Sequence, residues 1–300
     1  MRLIFALVIA VSTLLSVPGP ACLAQTAGQS AGEREVLIDS LVISGTRAVD
    51  SAELAEITNS MSGSAFSDDS DELEERIRDQ FQNHGYFKVE VKHLDIKVID
   101  PLASPKSVRL EADVSEGPLC RLSGIDFTGN HAIRSQELRS KFPIKTGNVF
   151  KKSEIGGCLD SMQKLYGSQG FLDSMFTPNA QIDSASTVKL DIEVQEGPQY
   201  RMGKLEIIGP AEVAEKLQTR WEIALGTVFD ASYVRTFLDA NSSLLPADFN
   251  ESNGVKLLKD CSDATVAVHF HLTSDPQHDA LDQAKSMDCD DSARKKKNSD

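Results

Sequence analysis

The sequence predicts an α+β fold made of tandem copies of one unit, in which a strand is followed by two helices and then by two strands. A first strand that ends in glycine recurs three times, as Leu41-Val42-Ile43-Ser44-Gly45, Ile125-Asp126-Phe127-Thr128-Gly129 and Leu205-Glu206-Ile207-Ile208-Gly209. These glycines are 84 and 80 residues apart. Self-similarity at a fixed period is typical of a repeat array in which each copy buries its own small core.

Two further landmarks recur at a similar offset. The predicted second helix ends in a glycine followed by an aromatic residue, in Gly85-Tyr86-Phe87 and Gly170-Phe171-Leu172. The last strand alternates apolar and polar residues and closes in Glu116-Gly117-Pro118 and Glu196-Gly197-Pro198. Such alternation indicates a sheet with one buried and one solvated face. We therefore place repeats at 34–117 and 118–198, and a third, degenerate copy at 199–274.

The elements of the first copy follow from caps and spacing. Asp50 or Ser51 caps a helix that runs to Met61, and a second helix begins within 67–71 and carries Leu73, Ile77 and Phe81 on one face. Two strands are expected at 87–99 and 108–114. The acidic run at 67–71 is interpreted as a helix cap, because it lacks the ligand spacing of a calcium loop.

The third copy departs from this pattern. Its second helix, at 231–244, is not followed by a glycine-aromatic step, and a polar loop is expected at 244–253. The hairpin strands are expected at 255–261 and 265–272. End repeats of an array are commonly atypical.

The two ends of the chain are interpreted as processing and tail segments. Residues 1–24 have the basic start, apolar run and small-residue cleavage region of a signal peptide, with lipidation of Cys22 as the alternative. Residues 25–33 are a linker, and 275–300 form a disordered polar tail. The mature chain is expected to be exported and soluble.

The composition limits the class of partner. The formal charge of −14, without a basic stripe, argues against nucleic acid.

Cys120 opens the second repeat and Cys158 lies early in its second helix, so a bridge between them is sterically conceivable, with two buried free thiols as the alternative. No CxxC occurs.

No residue pattern indicates catalysis, a cofactor or a metal. His269 and His271 lie on one side of a strand and could form half of a metal site, but the sequence places no third ligand near them. No nucleophile, phosphate or zinc-protease motif occurs. Glu116 and Glu196 are interpreted as turn residues, and an enzyme is not expected.

The chain resembles the POTRA repeat (polypeptide-transport-associated domain) of BamA-type outer-membrane assembly proteins over about residues 34–274. The strand-glycine turns, the glycine-aromatic steps and the Glu-Gly-Pro closures carry this resemblance. It implies two helices on one face of a three-stranded mixed sheet. It also implies that the second strand is an exposed edge, here 87–99 and 169–182, with candidate binding residues Phe87, Val89, Val91, His93, Phe171 and Leu172. Lys88, Glu90, Lys92 and Lys97 would limit uncontrolled pairing at this edge.

The resemblance implies a function in binding. Family members of this type continue into a membrane barrel, whereas this sequence ends soon after its third copy, so only the periplasmic binding role is expected. We predict a periplasmic, non-catalytic module that binds unfolded or extended polypeptides by strand addition, with outer-membrane assembly components as partners and peripheral association with that membrane through them. The alternatives are a scaffold that binds one folded partner of an envelope complex, and a remnant that has lost its barrel.

Overall fold

The computed structural model describes residues 36–66, 69–102 and 105–273. Three β-sheets follow one another along this part of the chain, each with its own helices and its own apolar core. The predicted signal peptide, linker, Cys22 and polar tail lie outside the described residues. None of the helices in the described ranges is long and apolar enough to cross a membrane.

The first repeat has the predicted strand-helix-helix-strand-strand order with one addition. Its elements are β1 (Val36–Ser44), α1 (Ser51–Met61), β2 (Ala65–Phe66), α2 (Ser70–Asn83), β3 (Glu90–Asp100) and β4 (Lys106–Ser115). The strand order is β2-β1-β4-β3, with β1 parallel to β4 and β3 antiparallel to it. The two-residue β2 extends the three-stranded mixed sheet that was expected.

The helices of this repeat begin where the sequence places their caps. The Asp50 carboxylate accepts hydrogen bonds from the amides of Ala52 and Glu53 at 2.9 and 2.8 Å, and the carboxylate of Asp69 accepts one from the amide of Asp71. These bonds satisfy amides that have no partner inside the helix. The predicted face of α2 is fully buried, and its residues are Leu73, Ile77 and Phe81.

The second and third repeats share one topology. The second comprises β5 (Arg121–Thr128), α3 (Ser135–Arg139), α4 (Lys152–Ser168), β6 (Met175–Ile182) and β7 (Thr187–Gln195), with strand order β5-β7-β6. The third comprises β8 (Arg201–Ile208), α5 (Ala211–Arg220), α6 (Ala231–Ala240), α7 (Glu251–Gly254), β9 (Val255–Asp260) and β10 (Thr265–His271), with order β8-β10-β9. The predicted α+β class of tandem repeats is confirmed.

Two details of the third repeat differ from expectation. Helix α6 ends at Ala240 rather than at Leu244, because a separate 3-10 turn follows at Ser242–Leu244. The expected polar loop contains α7, which the Asn250 side chain caps by accepting a hydrogen bond from the Ser252 amide. A four-residue helix is too short to give a periodic apolar signal in the sequence.

A short motif that the sequence analysis missed recurs in all three repeats. It consists of a glycine, a polar residue, a small apolar residue and a phenylalanine, at 63–66, 147–150 and 226–229. In each copy the glycine amide donates to a carbonyl of the first strand at 2.7 to 2.8 Å, and the phenylalanine is buried. The spacing of these glycines matches the repeat period, so the signal was present in the sequence.

Consecutive repeats are joined through the glycine that ends the second helix. The Gly85 carbonyl accepts a hydrogen bond from the Cys120 amide at 2.9 Å, and the Gly170 carbonyl accepts one from the Tyr200 amide at 2.8 Å. Both glycines have positive φ, 103° and 84°. A Cβ on Gly85 would lie 2.6 Å from the Val149 side chain, so the next repeat approaches closer than another residue would permit.

Side chains and helices strengthen both junctions. Phe87 packs on the core of the second repeat, with its ring 5.2 Å from that of Phe150. Leu172 occupies the corresponding place on the core of the third repeat. Helices α2 and α4 are linked by an ion pair between Asp79 and Lys152 at 2.7 Å. Helices α4 and α6 also meet at the second junction.

We expect Gly170→Ala to destabilise the protein more than Gly226→Ala, although both glycines have positive φ. At Gly226 (φ 78°) a Cβ meets nothing within 4 Å, so the cost is the backbone strain of about 1–2 kcal/mol. At Gly170 the Cβ would also lie 2.7 Å from the Tyr200 carbonyl oxygen, which adds a junction cost. Urea denaturation of the two variants measures the difference. Equal losses would show that the junction tolerates the extra methyl group.

Candidate functional site

Strand β3 forms an open edge of the first sheet. Among the described residues it pairs with β4 on one side only. Its register is shifted between Val91 and His93 and again between Val98 and Asp100. Between these bulges, residues 93–98 form a regular six-residue ladder, and their outward backbone groups can accept another extended chain.

An apolar stripe follows the helix side of β3. Val91, Leu94, Ile96 and Val98 lie opposite the buried Val114, Ala112, Leu110 and Val108 of β4. The first three of these stripe residues are half-buried against the core, and the side chain of Val98 is 51% exposed. Because the stripe lies at the sheet edge, it retains apolar surface that an added strand would cover.

The opposite side of β3 is polar and charged. His93 Nε2 lies 3.1 Å from an Asp95 carboxylate oxygen, and Lys97 Nζ lies 2.5 Å from a Glu111 carboxylate oxygen. All four side chains are more than one-third exposed, so these ion pairs contribute little to stability. Charges at an edge disfavour unspecific sheet-to-sheet pairing, but they leave the backbone groups accessible.

Strand β6 is the corresponding edge of the second sheet. Within the described ranges it pairs with β7 alone, in an uninterrupted register from Met175 to Ile182. Pro178 lies opposite Ile192 and Ala180 opposite Leu190, and both residues are exposed. The strand carries no charged residue.

The structure places two of the six predicted binding residues on an edge strand. Val91 lies on the helix side of β3 and His93 on the opposite side. The placement of the other four on the edge strands is wrong, because a turn separates the helix-ending glycine from the strand, so that β3 begins at Glu90 and β6 at Met175. Of these four, Val89 and Phe171 are buried in the core of their own repeat, and Phe87 and Leu172 pack on the next repeat.

The glutamates of the Glu-Gly-Pro closures hold a loop through hydrogen bonds to its amides. Glu116 Oε1 accepts hydrogen bonds from the amides of Arg47 and Ala48 at 2.7 and 2.6 Å, and its side chain is 6% exposed. Burial acts to raise the pKa of Glu116, but the two amide hydrogen bonds outweigh it and lower that pKa below its usual value. Glu196 accepts from the amides of His131 and Ala132 at 2.9 and 2.8 Å in the same way.

The cysteines of the second repeat do not form the bridge that the sequence analysis considered. Cys120 and Cys158 are both buried free thiols, which was the alternative. Their sulfur atoms have different partners, since Cys158 Sγ donates to the Glu154 carbonyl at 3.1 Å and Cys120 Sγ contacts the Pro118 carbonyl at 3.8 Å. Burial, with the nearby Glu154 charge, raises the pKa of Cys158 and keeps the thiol protonated. Cys261 is disulfide-bonded.

The histidine pair of β10 is buried rather than solvated. His269 and His271 have ring centres 6.4 Å apart, and His269 Nε2 lies 3.4 Å from a Glu206 carboxylate oxygen. Both side chains are less than one-tenth exposed. In the part of the chain that the structure describes, no three histidine, cysteine or acidic side chains are grouped as metal ligands.

The repeats match a known protein family. The family model described as "POTRA: Surface antigen variable number repeat" matches residues 36–117 and 121–197, more than half of the chain. The chain belongs to the POTRA family. The third repeat lies outside these two matches, although its strands are ordered as in the second POTRA repeat.

Individual relatives are outer-membrane assembly proteins by name. The outer membrane protein assembly factor BamA of Neisseria meningitidis is 22% identical over 151 residues, 49% of this chain and 18% of that protein. A Treponema pallidum protein named for the same process is 26% identical over 110 residues, 37% of this chain and 13% of that protein. This POTRA chain thus spans less than a fifth of the length of either curated relative.

A solved structure shares the fold of the whole array. The crystal structure of POTRA domains 3–5 of BamA from Haemophilus influenzae superimposes with a TM-score of 0.56 at 20% identity, and covers 81% of this chain and 98% of the other. At this identity the likeness shows the fold alone. It extends the POTRA fold across three consecutive domains.

We expect Glu116→Gln to lower the free energy of unfolding by about 1–2 kcal/mol at pH 7, because the two amides lose a charged acceptor. The pKa of Glu116 is lower in the folded than in the unfolded chain. Its contribution to the free energy of unfolding is therefore complete above its usual pKa, near 4.5, and is lost as the pH falls through the lowered value. Urea denaturation between pH 3 and pH 7 measures this. The exposed Glu56→Gln is the control, and a constant difference between Glu116→Gln and wild type at all pH values would contradict the assignment.

We expect both Cys120 and Cys158 to react with iodoacetamide when the protein is denatured without reductant. In the folded protein both should be protected, because burial excludes the reagent and keeps the Cys158 thiol protonated. Mass spectrometry of proteolytic peptides measures the modification. A disulfide-linked peptide pair containing both residues would contradict the structure.

Proposed function

We propose that this POTRA chain is a periplasmic, non-catalytic module that binds extended polypeptides by strand addition at the edge of β3, in outer-membrane protein assembly or secretion. The observation that carries the proposal is the edge itself, which combines a regular ladder at residues 93–98 with the apolar stripe of Val91, Leu94, Ile96 and Val98. Backbone hydrogen bonds supply affinity that depends little on the sequence of the bound chain.

The stripe defines which chains bind best. A strand added beside β3 directs alternate side chains to the helix side of the sheet, where they extend the row formed by Leu94 and Ile96. Helix α2 packs against β3 on this side. Chains with alternating apolar and polar residues, as in strands of membrane barrels, bury apolar surface there while their polar residues remain in water.

The location and partners are proposed from the relatives. BamA of Neisseria meningitidis is by name an outer membrane protein assembly factor, and the N-terminal sequence of this chain has the composition of an export signal. Assembly components and unfolded barrel proteins are the proposed partners, through which the chain associates with the outer membrane.

We expect Leu94→Pro to weaken the binding of a barrel protein diluted from urea at least tenfold. The substitution removes one backbone donor in the centre of the ladder and part of the stripe. The fold should persist, since Pro178 occupies the corresponding position of the second repeat. Binding is measured by fluorescence anisotropy of the labelled client, and circular dichroism checks the fold.

The control variant is Leu94→Ala, which loses apolar surface but keeps its amide. It should bind more weakly than wild type and more tightly than Leu94→Pro. If Leu94→Pro bound the client as tightly as wild type, strand addition at β3 would be wrong. Capture of a single folded protein by photoreactive residues at His93 and Lys97 in the native envelope would favour a scaffold instead.

A further inference from the structure

We infer that Pro178 prevents strand addition at the edge of the second repeat. An extended client therefore binds at the edge of the first repeat and not at that of the second. This inference rests on the proposed function, because it concerns which of the equivalent edges β3 and β6 is used. The β6 residues at the positions of the apolar stripe of β3 would then determine at which edge the client binds.

The two edges correspond residue by residue. Leu94 of β3 lies opposite Ala112 of β4, which lies opposite Ile43 of β1, two residues before Gly45. In the second repeat, Pro178 lies opposite Ile192, which lies opposite Phe127, two residues before Gly129.

The same register gives the next pair along the strand. Ile96 lies opposite Leu110 in the first repeat, and Ala180 lies opposite Leu190 in the second. Pro178 and Ala180 therefore replace the two central residues of the apolar stripe.

The proline removes the central hydrogen-bond donor of this edge. The register of β6 against β7 continues unbroken through Pro178, although proline has no amide hydrogen to donate. The nitrogen consequently belongs to the row of backbone groups that faces away from β7. A chain added to β6 would meet a proline ring at the place where β3 offers an amide.

The apolar surface is lost at the same place. Ala180 is exposed and presents one methyl group in place of the Ile96 side chain. An added strand would thus lose a hydrogen bond and a row of side-chain contacts together.

The composition of β6 supports a protective role for this proline. Natural edge strands avoid aggregation by charged residues, bulges or proline. Strand β3 has charged residues and two bulges, whereas β6 has an uninterrupted register and no charged residue. Its middle residues 177–181 are exposed. Pro178 is the protective feature that remains.

The test compares wild type with Pro178→Leu/Ala180→Ile, which copies the stripe of β3 into β6, and with Ala180→Ile as the matched control without the restored amide. The probe is a ten-residue peptide of alternating valine and threonine, with flanking lysines and a nitroxide at one end. Calorimetry measures the stoichiometry, and paramagnetic relaxation of assigned amides locates the peptide at β3 or β6.

We expect one peptide at β3 in wild type and in Ala180→Ile, and a second peptide at β6 in the double variant. Peptide at β6 in wild type, or a double variant that still binds at β3 alone, would overturn the role of Pro178 and leave the proposed function intact. If the double variant bound the peptide at β6 and none of the three proteins bound it at β3, the proposed function would be wrong and the role of Pro178 would be supported. Absence of binding at both edges in all three proteins would overturn both.

Discussion

The array depends on one backbone hydrogen bond per junction, which the carbonyl of a helix-ending glycine accepts from the residue just before the first strand of the next repeat. Gly85 and Cys120 form the first of these bonds, and Gly170 and Tyr200 form the second. The positive φ of each glycine turns the chain out of the helix and directs its carbonyl toward the neighbour. The missing side chain also lets the neighbouring backbone and valine approach, so the same residue ends a helix and joins two domains.

Buried tyrosines and carboxylates complete each unit around these turns. Tyr86 donates to Glu53 at 3.0 Å, Tyr166 to Glu196 at 3.0 Å, and Tyr200 to Asp173 at 2.6 Å. Burial, together with its acidic neighbours, raises the pKa of Tyr86 to about 12, and the same causes raise the pKa of the other two tyrosines. These hydroxyls therefore remain donors at all physiological pH values, and the contacts near each junction persist.

A shared fold presents different edges in successive repeats. The strand order places β3 and β6 at equivalent edges, but the residues at corresponding positions of the two strands differ. Leu94 on β3 provides an amide donor and apolar surface. On β6, Pro178 has no amide hydrogen and Ala180 presents a single methyl group. Under the proposed function, two repeats of one fold therefore differ in whether their edge binds an extended chain, and the residues of the edge strand account for the difference.

Local chemistry was sufficient to predict the repeat period, the α+β class, the capped helices and the alternating closing strands. Asp50 as a cap, the buried face of α2 and the alternation of β4 and β7 follow from short-range spacing, because helix caps and sheet alternation involve residues close in the chain. The motif at 63–66, 147–150 and 226–229 was equally visible at this level. Only the tertiary structure assigned Phe87 and Leu172 to the following repeat and left Cys120 and Cys158 as free thiols. It alone aligned Pro178 with Leu94, because strand register depends on hydrogen bonds between segments that are distant in the sequence.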